Sequence, residues 1–191
     1  MGYKQYSPGY DRGGHSREMR GSNARKLLEG NPDVIGLREA FEKHNISRND
    51  IESYFKRIAE ELKGSREKGV FPEWNPEKRL ANAIVVAAYL RAQNLKTNQV
   101  RKVLEMVRTI ELKLKKGDTN IKDDIIKTRY LLAYAVGKAT GSSRYSLEAF
   151  HRILDPMLAV LIEKPDESRF EEFYDFLQAV VAYHRFFGGG E

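Results

Sequence analysis

Val100, Val103, Leu104, Val107, Ile110 and Leu114 recur at intervals of three and four residues. That spacing gathers apolar side chains along one face of an α-helix. Thr97 stands before the run as an N-cap and Gly117 after it as a stop, because a hydroxyl can take an orphan N–H and glycine tolerates the left-handed closing residue. The same period continues through most of the chain, and no stretch alternates apolar and polar residues between hairpin-type turns. A β-rich fold is thereby excluded. The expected class is all-α: a bundle of about five core helices with an N-terminal helical extension and a flexible tail rich in Gly, Tyr and Arg.

The punctuation places the remaining helices. One is expected from Pro32 or Asp33 to His44. Ser47 followed by Asp50 reads as a capping box, so a second should cover about 48–63, with Ile51, Tyr54, Phe55, Ile58 and Leu62 on one face. The segment GVFPEWNP, which holds two prolines and the single Trp, is a break. Pro76 then opens a helix to about Gln93. After the Val100–Leu114 helix comes one that starts near Ile121 or Lys122, and two more follow over about 146–163, bent or interrupted at Pro156, and 166–187, capped by Asp166. This divides the chain into a tail (1–23), a helical extension (24–75) and a helical-bundle domain (76–191). The tail has too little apolar area to fold alone.

Composition removes several functions. The 191 residues hold no cysteine, so disulfides, thiolate metal sites and cysteine nucleophiles are excluded. His15, His44, His151 and His184 are far apart, and no glycine-rich loop precedes a helix. No catalytic residue, metal ligand or cofactor is therefore expected, and His151 and His184 read as core or interface residues. Asp123 and Asp124 fit the positive field of a helix start better than a metal site. The longest apolar run, AIVVAAYL at 83–90, is far short of a membrane span of roughly 20 residues, and MGYKQYSPGY carries no secretory-type apolar segment. A cytoplasmic chain is expected.

Charge is unevenly spread. Lys and Arg number 12 against 5 Asp and Glu in residues 95–144, and 4 against 9 in residues 145–191. A basic middle points to a polyanion, and the acidic end argues against a protein that coats nucleic acid on all sides. Arg101, Arg108 and Lys115 fall seven apart, opposite the Val100–Leu114 stripe, with Lys102 beside them and Lys96 just before. Seven helical residues advance about 10 Å, so such a row suits a run of phosphates better than one compact anion. Arginine's planar fork strengthens that reading.

The stretch RYLLAYAVGK, 129–138, reads as a buried helix with a cation at each end. Arg129 shares a stripe with Ile125, Leu132 and Val136, so it either pairs with a carboxylate inside the bundle or reaches out to a ligand. Gly137 fits either a close approach of another backbone or the end of the helix. Lys127 and Arg144 complete the basic set of this central segment. The candidate RNA-binding residues are thus Lys96, Arg101, Lys102, Arg108, Lys127, Arg129, Lys138 and Arg144.

Two motifs carry a family resemblance. The run from Lys96 through Thr97, Asn98, Gln99 and Val100 to Arg101 is similar to the Thr-Ser-Gln-Ile-Arg run that opens a helix in one family. The run Leu132-Ala133-Tyr134-Ala135-Val136-Gly137-Lys138 resembles the same family's Leu-Ala-Tyr-x-x-Gly-Arg signature. That family is the small helical subunit of type III-A CRISPR ribonucleoprotein effectors, the Csm complex. Asn98 stands where the family has Ser, Lys138 where it has Arg, and Tyr130-Leu131 where it has Pro-Lys, so the lysine expected at 131 is missing. The resemblance covers about residues 76–187 and implies a non-enzymatic subunit. Copies would stack along the complex and help to hold target RNA on the guide RNA, with Arg101 and Lys138 on phosphates. Outside the resemblance stand a helical adaptor docking an acidic partner, the analogous type III-B small subunit, and a nuclease assembled from acids on separate helices.

Overall fold

The computed structural model describes residues 24–190. The tail assigned to residues 1–23 lies outside them. Eight helices and no strand occur among the described residues: α1 (24–28), α2 (Val34–Glu42), α3 (Arg48–Glu67), α4 (Pro76–Ala92), α5 (Thr97–Leu114), α6 (Lys122–Lys138), α7 (Gly141–Glu163) and α8 (Glu167–Phe186). The all-α expectation holds. Some details differ from it: α1 was not anticipated, α2 stops at Glu42 rather than His44, α3 runs four residues longer, and α7 starts five residues earlier. Pro156 sits inside α7 as part of the buried face, where the helix continues through it.

The helix starts follow local chemistry. Asp33 accepts the Gly36 N–H at 2.9 Å, Asn75 accepts that of Lys78 at 2.8 Å, and Asp166 that of Arg169 at 2.8 Å, each satisfying a donor with no intrahelical partner. At α3 the Asp50 carboxylate reaches back to the Ser47 N–H at 2.8 Å. No helix among the described residues is long and apolar enough to cross a membrane.

α4 is the centre of the fold. Every residue from Asn82 to Leu90 is buried, a pattern that requires neighbours on all sides. α3, α7 and α8 supply them. Phe55 of α3 stacks on Tyr89 with ring centroids 4.0 Å apart. GVFPEWNP breaks the helices yet is pinned to the core: Phe71 and Trp74 are buried, Trp74 packs against Phe176 of α8, and its Nε1 donates to Glu61 of α3 at 2.8 Å. Side chains from Ala24 to Phe187 join one hydrophobic cluster.

Thr97 is not the N-cap of α5, as its sequence position implied. Lys96 occupies that place, and Thr97 is buried within the first turn. The chain after α8 turns back to meet it: the Thr97 N–H donates to the Gly190 carbonyl at 2.8 Å, and its hydroxyl donates to the Gly189 carbonyl at 3.0 Å. A distant backbone thus supplies what a side-chain cap usually supplies. His184, fully buried, places Nδ1 3.4 Å from the same hydroxyl. The sequence expectation of a core histidine holds for His184.

Two predictions follow from this clasp. A Cβ at Gly189 would lie 2.3–2.8 Å from the His184 ring and backbone, whereas one at Gly190 would meet only the Lys96 ammonium at 3.6 Å. Gly189→Ala should therefore lower stability by about 1–3 kcal/mol through loss of the buried bonds to Thr97, and Gly190→Ala should be near neutral in urea titrations. Burial pushes the His184 pKa down to about 4; the Leu95 backbone pulls the other way without offsetting it, and the Arg91 charge adds to the depression. Stability from the neutral ring is complete above about pH 6.5 and declines as pH falls towards 4, because the unfolded ring takes the proton first. Between pH 7 and 4 the wild type should lose roughly 3 kcal/mol more than His184→Leu.

Candidate nucleic-acid interface

α5 displays the cationic row that the spacing required. Val100, Val103, Val107, Ile110 and Leu114 are buried, while Arg101, Lys102, Arg108 and Lys115 are exposed on the far side. Arg101, Lys102 and Arg108 enter no ion pair among the described residues. Lys115 differs, since it pairs with Glu111 one turn back. The row is also interrupted: Glu105 and the exposed Leu112 fall between its cations on the same outward face. Arg108 and Lys115 border a groove between α5 and α8, whose other wall carries Glu167, Glu171 and Asp175. The acidic end of the chain therefore folds against one flank of the basic helix.

Lys96, at the N-cap, is exposed and its ammonium lies close to Gly190. Arg144, in the first turn of α7, is exposed and pairs with Glu148 at 2.9 Å. Lys113, which sequence reasoning did not select, bonds Asp124 of α6 and so ties the ends of the α5–α6 hairpin. That bond gives Asp124 a second role beside its place in the first turn of α6, and Asp124 in turn raises the Lys113 pKa. No cluster of three or more metal-ligating side chains occurs among the described residues.

RYLLAYAVGK is the largest departure from the sequence reading. It is not a buried helix; of residues 129–138 only Leu132 is fully enclosed, and Ile125 and Thr128 of the preceding turns complete the inner face of α6. Tyr130 and Tyr134 are 55% and 64% exposed. Gly137 meets nothing within 4 Å, and α6 ends one residue later. Of its two explanations, the end of the helix is the one observed. Lys138 and Lys127 are exposed.

Arg129 resolves its alternatives towards the interior. Its Nε and Nη2 donate to the two oxygens of Asp155 in α7 at 2.6 and 3.2 Å, a forked pair. Asp155, only 13% exposed, also receives Arg66 of α3 at 3.0 Å and faces His151 at 3.8 Å. Burial alone would push this carboxyl up; the hydrogen bond and charge of Arg129, with His151 and Arg66, outweigh it and hold the carboxyl below the usual range. Asp155 reciprocally raises the Arg129 pKa.

The described residues form an all-α bundle with exposed cations along α5 and at the end of α6. The sequence profile of the Csm2 Type III-A family matches residues 73–190, from the Trp74 segment to the glycines after α8. The chain belongs to that family, the structural small subunit of type III-A CRISPR effector complexes, and is thereby a component of an assembly with other subunits. No individual curated protein matched it. α1, α2 and α3 precede the matched region.

The Asp155 junction gives the prediction here. Arg129→Ala should lower stability by about 1–2 kcal/mol, the value for a buried pair reduced for the partial exposure of the guanidinium. Asp155→Ala, which strands two guanidiniums, should cost more. Thermal melts at pH 7 measure both, and RNA titrations of the Arg129 variant should keep the wild-type salt dependence.

Proposed function

We propose that the chain is a non-catalytic, RNA-binding structural subunit that stacks in several copies along a cytoplasmic type III-A complex. It holds target RNA as that RNA pairs with the guide, through phosphate contacts that are blind to sequence. The observation that carries this reading is the set Arg101, Lys102 and Arg108, exposed opposite the buried stripe of α5 and engaged by no carboxylate. Side chains needed for packing would be inside, and the neighbouring Lys115, by contrast, is taken up by Glu111. Lys138 and Lys127 on α6 extend the set, with Lys96 and Arg144 at its margins. Sequence choice would rest with guide pairing and shape with the protein. Arg129 enters this reading as the residue that fixes α6 rather than as a phosphate contact. Residues 24–75 act as an extension on the bundle of residues 76–191.

RNA titration over a range of salt concentrations is the test. Arg101→Ala, Arg108→Ala and Lys138→Ala should each weaken binding across unrelated sequences and reduce the log–log salt slope by about 0.7 for a single strand, with helical content unchanged by circular dichroism. RNA recovered from the same titrations in Mg²⁺ should be intact. Wild-type affinity and slope in all three variants would remove the phosphate reading and leave the adaptor for an acidic protein.

A further inference from the structure

Four side chains on α6 have no assigned work inside the molecule. Lys127, Tyr130, Tyr134 and Lys138 succeed one another at steps of three, four and four residues. On an α-helix they fall within an arc of about 80° and along roughly 16 Å of axis. This arc lies opposite Ile125, Thr128 and Leu132, the buried side chains of the helix. All four are exposed. Neither tyrosine has a hydrogen bond or a ring contact, and neither lysine an ion pair, among the described residues.

Exposed tyrosines without partners are an unusual use of large apolar surface in a helix that has a complete inner face. Two in consecutive turns, bounded by lysines, form a ridge with flat π-faces between positive charges. We infer that this ridge is a stacking platform for unpaired RNA bases, with Lys127 and Lys138 holding the flanking phosphates. Aromatic rings accept any base, because every base has a π-face, and the lysines supply the sequence-blind attraction. Charge complementarity selects this occupant: a second copy docking ridge to ridge would bring like charges together, while a polyanion with exposed rings satisfies all four groups. The inference deepens the RNA-binding reading and rests on it. It adds a preference for single-stranded over fully paired RNA, which phosphate contacts alone do not provide.

The test compares three ligands of equal length with the full chain: an oligoadenylate, its abasic ribose-phosphate counterpart, and a blunt RNA duplex. Wild type should bind the oligoadenylate at least about 5-fold more tightly than the abasic strand, the lower end for one stacked base. Tyr130→Ala with Tyr134→Ala should abolish that preference without changing the salt slope, and Tyr130→Phe with Tyr134→Phe should retain it. Lys127→Ala with Lys138→Ala should reduce the slope for all three ligands. Equal binding of the oligoadenylate and abasic strand by wild type, with affinity still falling with salt, overturns the platform and leaves phosphate binding standing. Loss of self-association in the tyrosine-to-alanine variant, with the base preference intact, would assign the ridge to a protein contact instead. No binding to any ligand would overturn both readings.

Discussion

One carboxylate joins three helices. Asp155 of α7 receives a forked guanidinium from α6 and a second guanidinium from α3, with His151 one turn away on its own helix. A carboxylate this enclosed is unfavourable without partners, so the helices that carry those partners are committed to their places. The consequence reaches the surface. With Arg129 locked inward, helical geometry turns the opposite face of α6 to solvent, and that face carries Tyr130, Tyr134, Lys127 and Lys138. A packing requirement in the interior thus sets the direction of the side chains argued to meet RNA.

The second organising constraint is the clasp at α5. Its first turn is fixed by backbone from the far end of the described chain, through Gly189 and Gly190 on Thr97, and Arg91 of α4 holds the preceding turn by donating to the Phe187 carbonyl at 3.0 Å. Arg101 lies one turn into this anchored helix. Phosphate binding by a side chain on a fraying helix end would include the entropy of ordering that end. If Arg101 binds phosphate as proposed, the anchoring would remove that burden beforehand.

These two features separate what the sequence could reveal from what it could not. Spacing alone located the buried stripe of α5 and the exposed cations opposite it, because both belong to one helix and one period. Asp33, Asn75 and Asp166 cap through contacts three residues away, so their helix starts were within reach of local reasoning; for Asn75 the visible signal was the proline beside it. Thr97 was misassigned because its partner lies 92 residues on. Arg129 was legible only as two alternatives, since Asp155 is 26 residues distant. RYLLAYAVGK was misjudged by composition: Ala and Tyr count as apolar, but only the inner arc of Ile125, Thr128 and Leu132 is enclosed. Counting positions around the helix, rather than apolar residues along it, would have placed Tyr130 and Tyr134 outside.

The acidic end of the chain gives the basic helix a direction. Folded beside α5, α8 presents Glu167, Glu171 and Asp175 across a groove from Arg108 and Lys115. A polyanion approaching from that flank would meet carboxylates; from the outward side of Arg101 and Lys102 it would meet cations without internal partners. Charges of opposite sign on adjacent helices steepen the potential between their faces far more than a uniformly basic surface of the same net charge would. Glu105, between Arg101 and Arg108, lowers the charge density at the middle of the row and leaves the two arginines about 10 Å apart. On the proposed reading, such a surface would suit an extended anion lying along one side of α5 better than a compact anion seated at any single point.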